Sequence, residues 1–144
     1  MKAIYFDMDG TIADFYGVNG WLDCLLKNDI YPYLMAKPMF DVWAFAKLLN
    51  SLKRKGYHIG VISWGSKNAS KEFNERIERA KKHWLKENLL IALDEIKIVP
   101  YGTPKSKVVD FPDGILFDDE ENNRIEWGMS AYTPAEIIKI LEAL

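Results

Sequence analysis

Only one cysteine, Cys24, occurs in the 144 residues, so no disulfide can form within the chain and a reducing, cytoplasmic setting is expected. Neither sign of charge dominates. Nineteen Lys and Arg stand against 21 Asp and Glu, a net charge of −2, which builds no general field for nucleic acid or an anionic membrane. No apolar run approaches the ~18 residues that span a bilayer. The run after Lys2 is broken at Asp7, too early for a secretion signal. There is no repeat, low-complexity tract or interdomain linker. What is present is a globular composition, 49% apolar and 28% charged, which excludes disorder. A single domain over 1–144 is expected, burying about two-thirds of its unfolded surface without disulfides or structural metals.

Strands alternate with helices along the chain. Apolar runs at Ala3-Ile4-Tyr5-Phe6, at 58–62 closing on Ser63, at 96–99 and at 114–117 predict four strands, with a short fifth near 130–132. Val42, Phe45, Leu48, Leu49 and Leu52 recur at helical spacing and predict a helix over 38–55, stopped by Gly56. Phe73, Ile77, Ala80, Trp84 and Leu85 mark one face of another over 69–89. Thr133-Pro134-Ala135-Glu136 reads as a capping box with proline first, opening a last helix that buries Ile137, Ile138, Ile140, Leu141 and Leu144. The alternation predicts an α/β fold: a three-layer, Rossmann-like parallel sheet with helices on both faces. One segment, 14–37, fits it badly. Its aromatics Phe15, Tyr16, Trp21, Tyr31 and Tyr33 lie among the turn formers Gly17, Asn19 and Gly20, predicting a short helix and loop over the carboxyl edge of the sheet.

Acidic residues at two strand ends are the main chemical signal, because ligands of open α/β sheets bind at that edge. Asp7 and Asp9 follow the first strand and, with side chains alternating, point the same way. Asp118 and Asp119 follow the fourth. If the two strands are neighbours, three or four carboxylates meet, and two such charges ~4 Å apart repel by roughly 4 kcal/mol at an effective dielectric near 20. Protons or a cation must relieve this, and an all-oxygen site with open positions suits Mg²⁺. Other motifs fail. Thr11 and Ile12 stand where a calcium loop needs a ligand and a glycine, Ser66-Lys67 reverses the order of a P-loop, and no Gly-x-Gly-x-x-Gly is present. Taken alone, an Asp-x-Asp pair is most often a solvated turn or helix cap; here both pairs directly follow hydrophobic strands.

Asp7-Met8-Asp9-Gly10-Thr11 resembles the first motif of the haloacid dehalogenase-like superfamily of phosphohydrolases. Ser63 resembles the second, Lys105 or Lys107 the third, and Asp118-Asp119 with Asn123 the fourth. The resemblance covers essentially the whole chain. It implies a small cap at about 14–37 and an Mg²⁺-dependent phosphomonoester hydrolase working through an aspartyl-phosphate. On that resemblance Asp7 is the nucleophile and a metal ligand, while Asp9 is the acid and base and lends its backbone carbonyl to the metal. Gly10 and Thr11 shape the loop beyond them. Ser63 holds a phosphoryl oxygen, helped by the amides of Trp64 and Gly65. A lysine supplies fixed positive charge; Lys105 and Lys107 both stand as candidates, with Lys107 slightly favoured by analogy to small magnesium-dependent phosphatases. Asp119 is implied as a metal ligand, Asp118 as one directly or through water, and Asn123 as orienting Asp119 or the metal's waters.

The interval from Asp7 to Ser63 leaves room for only a small cap, and one helix and one strand fill that from Ser63 to Lys107. The site is therefore expected to be open or lightly covered, able to accept a large substrate or to be closed by a second subunit of a homodimer. The substrate class that the resemblance implies is a nucleotide or other small phosphate ester. Asp7-Met8-Asp9-Gly10 with Ala13-Asp14-Phe15 close behind also resembles the superfamily's 5′-nucleotidases. Tyr16, Trp21, Tyr31 and Tyr33 of the cap either stack on a nucleobase or, as aromatics of a short insert more often do, form a mini-core against the sheet edge. Trp64 is expected at the pocket mouth, Trp84 and Trp127 in the core, Cys24 as an apolar filler, and His58 and His83 in structural or exposed positions. Two other readings are a catalytically silent phosphate- or protein-binding module and a receiver-like phosphoacceptor domain. Against the latter, the third strand ends in Pro100-Tyr101-Gly102 without an aspartate.

Overall fold

The computed structural model of the chain describes residues 2–144. Five parallel strands form one sheet: β1 (Ala3–Phe6), β4 (His58–Trp64), β5 (Glu95–Val99), β6 (Ile115–Phe117) and β7 (Ala131–Tyr132). Their order is β5-β4-β1-β6-β7, an α/β, Rossmann-like arrangement. The chain builds from β1 outward through β4 to β5, then crosses back to β6 and β7 on the other side of β1. That reversal leaves a crevice at the carboxyl end of β1, the switch point where ligands of such sheets bind.

Period-two alternation divides the sheet's side chains between two cores. Ile4, Phe6, Ile59, Val61 and Phe117 pack with Phe45, Leu49 and Leu52 of α3 (Val42–Arg54), with Trp84 and Leu85 of α4 (Lys71–Asn88), and with Ile137 and Leu141 of α6 (Ile137–Glu142). On the other face Ala3, Tyr5, Ile62 and Leu116 pack with Trp127 of α5 (Glu121–Trp127) and with the segment holding Val108, Val109 and Phe111. Trp84 and Trp127 are thus core residues, as their spacing indicates.

Several boundaries differ from the sequence expectation, among them the starts of two helices. The first long helix begins at Val42 rather than at 38, because Asp41 accepts the Ala44 N–H at 2.8 Å and so caps it there. Pro38 instead belongs to β3 (Lys37–Pro38), paired antiparallel with β2 (Ala13–Asp14). The capping box at Thr133 forms, but its first turn is 3-10, and Ile138, expected inside, is exposed.

The β2–β3 pair closes the neck of the segment 14–37. Within it lie α1 (Trp21–Leu26) and α2 (Tyr31–Met35). Phe15 and Tyr33 are buried against Phe73, Ile77 and Ala80 of α4, with Trp21 and Leu25 alongside. The expected aromatic mini-core forms, but against helix α4 rather than against the sheet edge. Cys24 is half-buried in α1. Asp41→Ala should lower stability by about 1 kcal/mol in urea unfolding, the usual loss for a removed N-cap; an unchanged midpoint would show that the cap does not set the start of α3.

Candidate active site

Asp7 leaves β1 still held by the sheet, its N–H donating to Phe117 O at 2.9 Å. Its carboxylate is gripped on both oxygens: Oδ1 accepts from Lys105 Nζ at 2.9 Å and Oδ2 from Thr11 Oγ1 at 3.1 Å. The chain then reverses through Gly10 at φ +81°, and the N–H groups of Thr11, Ile12 and Ala13 all converge on Met8 O. Glycine is required at this bend twice over: the backbone is left-handed, and a Cβ would collide with the Asp119 carboxylate. Thr11 Oγ1 in turn accepts the Asp119 N–H at 3.2 Å. A single hydroxyl thereby ties the acidic end of β1 to that of β6.

Lys105 occupies a one-turn 3-10 helix, Lys105–Lys107, after β5. It is buried and bridges two carboxylates, donating to Asp7 Oδ1 and, at 2.6 Å, to Asp118 Oδ2. Asp118 is entirely buried; it also accepts from Asn123 Nδ2 at 3.2 Å and from the Glu120 N–H at 2.9 Å. With three residues per turn, positions two apart cannot share a face, and Lys107 is exposed. The lysine that reaches Asp7 is Lys105, not the slightly favoured Lys107. Glu126 of α5 clamps this turn by accepting the Ser106 N–H at 3.0 Å and the Ser106 hydroxyl.

A second buried lysine, which the sequence reading did not single out, enters from α4. Lys81 Nζ donates to Ser63 Oγ at 2.7 Å, to Trp64 O at 2.6 Å and to Asp9 Oδ2 at 3.1 Å. It also lies 5.3 Å from the centre of the Tyr33 ring. An ammonium has three protons and no lone pair, so all three are engaged and Ser63 Oγ must be the acceptor. The serine's own proton is left to donate elsewhere. The signal was present: Lys81 stands at i+4 from Ile77 and i−3 from Trp84, on the apolar stripe of an otherwise charged helix.

These groups surround a cavity of about 330 Å³ at the carboxyl edge. Asp7, Asp9, Ser63, Lys105 and Asp119 line it, with Trp64 and Gly65 from the end of β4 and Asn123 from α5. Of the remaining expected residues, Gly10 and Thr11 shape the loop beneath, and Asp118 lies behind Lys105. Asn123 is turned to Asp118 and not to Asp119.

Crowding sets the charge states. Burial pushes the Asp7 carboxyl up, but the Lys105 ammonium outweighs it and holds Asp7 below the usual carboxylate range. Burial raises Asp9, aided by the charge of Asp7 and opposed by Lys81, with a net upward shift. Burial and Asp7 carry Asp118 to about 6 and Asp119 to about 8. Lys105 loses from burial but gains more from Asp7 and Asp118, so it stays charged.

Carboxylate oxygens of Asp7, Asp118 and Asp119 lie within 4.8 Å of one another. Since those of Asp118 are taken up by Lys105, Asn123 and the Glu120 amide, Asp7 and Asp119 are the pair open to the cavity. Hard, all-oxygen donors with an excess of negative charge fit Mg²⁺. A second group, His58, Glu95 and Asp110, lies toward the amino end of the sheet. There Glu95 accepts from Tyr5 Oη at 2.7 Å and pairs with His58 Nε2 at 2.8 Å, and Lys97 lies 3.1 Å from Asp110. These partners satisfy one another, and His58 is structural.

Comparison with models of known protein families finds no match for this chain, and neither does comparison with curated proteins.

Asp119 has a raised pKa, so the metal-free folded state binds more protons than the unfolded chain between about pH 4 and about pH 8. Its contribution to stability therefore falls as pH rises through that window. A divalent cation seated between Asp7 and Asp119 would have to displace that proton, so titration calorimetry with Mg²⁺ at pH 7 should detect proton release and an affinity that climbs toward pH 8. Identical heats in buffers of different ionisation enthalpy would contradict this. Lys105→Met, which leaves buried carboxylates unpaired, should cost about 3 kcal/mol, whereas Lys107→Met should stay within ~0.5 kcal/mol. Equal losses in urea unfolding would undo the assignment.

Proposed function

We propose that this chain is an Mg²⁺-dependent phosphomonoester hydrolase of the haloacid dehalogenase-like superfamily, with 14–37 as a small helical cap over the three-layer catalytic fold. The observation that carries the reading is the convergence of Asp7, Asp9, Ser63, Lys105 and Asp119 on one cavity at the switch point of the sheet. Two carboxyls two residues apart, one held down and one pushed up, form the pairing that separates a nucleophile from an acid.

Asp7, kept ionised by Lys105, attacks phosphorus in line. The bond from phosphorus to the ester oxygen breaks, and that oxygen takes the proton of Asp9, leaving an acyl phosphate on Asp7. Asp9 then accepts a proton from water as the water attacks phosphorus, which releases inorganic phosphate and restores Asp7. Ser63, its lone pair engaged by Lys81, donates its proton to a phosphoryl oxygen. Lys105 has two of its three protons on Asp7 and Asp118, and its third is free for the same group. Lys81 touches no substrate atom on this reading; it positions Ser63 and Asp9. Mg²⁺, held by the carboxylates of Asp7 and Asp119 with the Asp9 carbonyl, would supply charge neutralisation at the phosphoryl oxygens.

The protein should hydrolyse p-nitrophenyl phosphate with Mg²⁺ and not with chelator, and Asp7→Asn should abolish turnover. Asp9→Asn should lower it by about a hundredfold or more for alkyl phosphates, whose leaving groups need the proton, and less for the nitrophenyl ester. Absence of Mg²⁺-dependent turnover in the native protein would overturn the hydrolase reading. If phosphate still bound, the chain would be a silent phosphate-binding module.

A further inference from the structure

The sides of the cavity differ in chemistry. The segment 14–37 supplies an aromatic wall, Tyr16 and Trp21, whereas the loop after β4 brings Ser66 and Lys67 to the rim. That loop is held along its backbone. The Gly65 N–H donates to Val99 O at 2.7 Å, and the Ser66 N–H donates to Asn74 Oδ1 at 3.1 Å. Glycine at 65 permits the second bond, because a Cβ there would stand 2.6 Å from that same oxygen. Asn68 then turns the chain at φ +60°, and Ser70 accepts the Phe73 N–H at 3.1 Å to cap α4. Lys67 thus springs from a fixed backbone, its ammonium 5.9 Å from the centre of the Tyr101 ring.

Charge at the rim is uneven. Lys105 is committed to Asp7 and Asp118, and Lys81 beneath to Asp9. Lys67 is the other lysine of the lining, and among the described residues it pairs with no carboxylate. Beside it the Ser66 hydroxyl neighbours the phenol of Tyr33, a residue only 5% exposed. One proton can pass between these two hydroxyls, and the other is left for a ligand. From the end of β6, by contrast, comes Glu120. Since β4 and β6 flank β1, the rim is positive on one side of the floor and negative on the other. We infer that the preferred substrate is a phosphate monoester with a second anionic group a few bonds from the phosphate, seated by the Lys67 ammonium and the Ser66–Tyr33 hydroxyl pair; this rests on reading the floor as the phosphate seat. A cavity of about 330 Å³ suits one small molecule, so the two anions must be close. Lys67 is exposed, and water and salt screen a pairing there. It therefore sorts substrates several-fold rather than by orders of magnitude.

The test is calorimetric titration of the native protein, with excess Mg²⁺ at low salt, using 3-phosphonopropionate and its carboxamide. These non-hydrolysable probes match in size and differ by one negative charge. The acid should bind about threefold to tenfold tighter. Lys67→Gln should bring the ratio within about twofold of one, Lys67→Glu should invert it and Lys67→Arg should keep it. Raising the salt from about 0.05 M to about 0.5 M should shrink the native preference. Equal affinities in the native protein, or a preference that survives Lys67→Glu, would overturn the second-anion seat and leave the hydrolase reading intact. A preference that follows Lys67 in a protein that hydrolyses no ester would keep the seat and remove the hydrolase reading alone. Binding of neither probe would remove both. A carboxylate and a second phosphate share this chemistry, so a second arm compares kcat/KM for 2-carboxyethyl phosphate and ethane-1,2-diyl bisphosphate with that for propyl phosphate. The larger gain over propyl phosphate assigns the second group, equal gains show that charge alone is read, and no gain with either would overturn the proposal.

Discussion

The Lys105 ammonium, buried between Asp7 and Asp118, is the interaction on which the rest of the site depends. Without it, two carboxylates from adjacent parallel strands would face each other out of water, and one would take up a proton. With it, Asp7 stays ionised on the strand nearest the switch point and Asp118 becomes an anchor rather than a ligand. Burial of that pair is tolerable because every neighbouring donor is in place: Thr11 on Asp7, and Asn123 and the Glu120 amide on Asp118. Asp119 has only the Thr11 hydroxyl, 3.5 Å from Oδ1, beside it, and it is the carboxyl left open to the cavity, where burial and the charge of Asp7 favour its protonated form.

Two lysines divide the work by depth. Lys105 lines the cavity and keeps a proton for it, while Lys81 lies beneath, its three protons committed to Ser63, Trp64 and Asp9. The second arrangement decides the polarity of Ser63, since a serine that must accept from an ammonium can only donate outward. It also links α4 to the loop after β1, through Asp9. The same helix carries the segment 14–37 on Phe73, Ile77 and Ala80, so the aromatic wall and the floor share one rigid support.

Much of this was legible along the chain. The four long strands, the acidic ends of β1 and β6, Ser63 at the end of an apolar strand and the span 14–37 all follow from short-range patterns. Those patterns read well because a parallel strand buried on both faces must be apolar throughout, and a polar residue at its end stands out. Lys81 was hidden for the opposite reason. On a helix rich in Lys, Arg and Glu, one lysine on the inward stripe looks like its solvated neighbours, and only the position of Asp9 and Ser63 across the core gives it partners. Lys105 and Lys107 were inseparable because a Thr-Pro start predicts a helix without saying that the turn is 3-10, and the two geometries present different faces. Likewise Pro38 reads as a helix start until its pairing with Ala13, 25 residues earlier in the chain, is known.

Local chemistry therefore determined which residue types stand at the strand ends, where the elements run and that negative charge gathers at one edge of the sheet. Those are consequences of alternation, capping and backbone stiffness, which act over a few residues. The tertiary structure alone decided which lysine meets which carboxylate, which aspartate is buried and which is open, and which aromatic rings end as walls rather than core. Charge pairing and desolvation depend on distances between groups as much as 98 positions apart, and a linear chain does not carry those distances until it has folded.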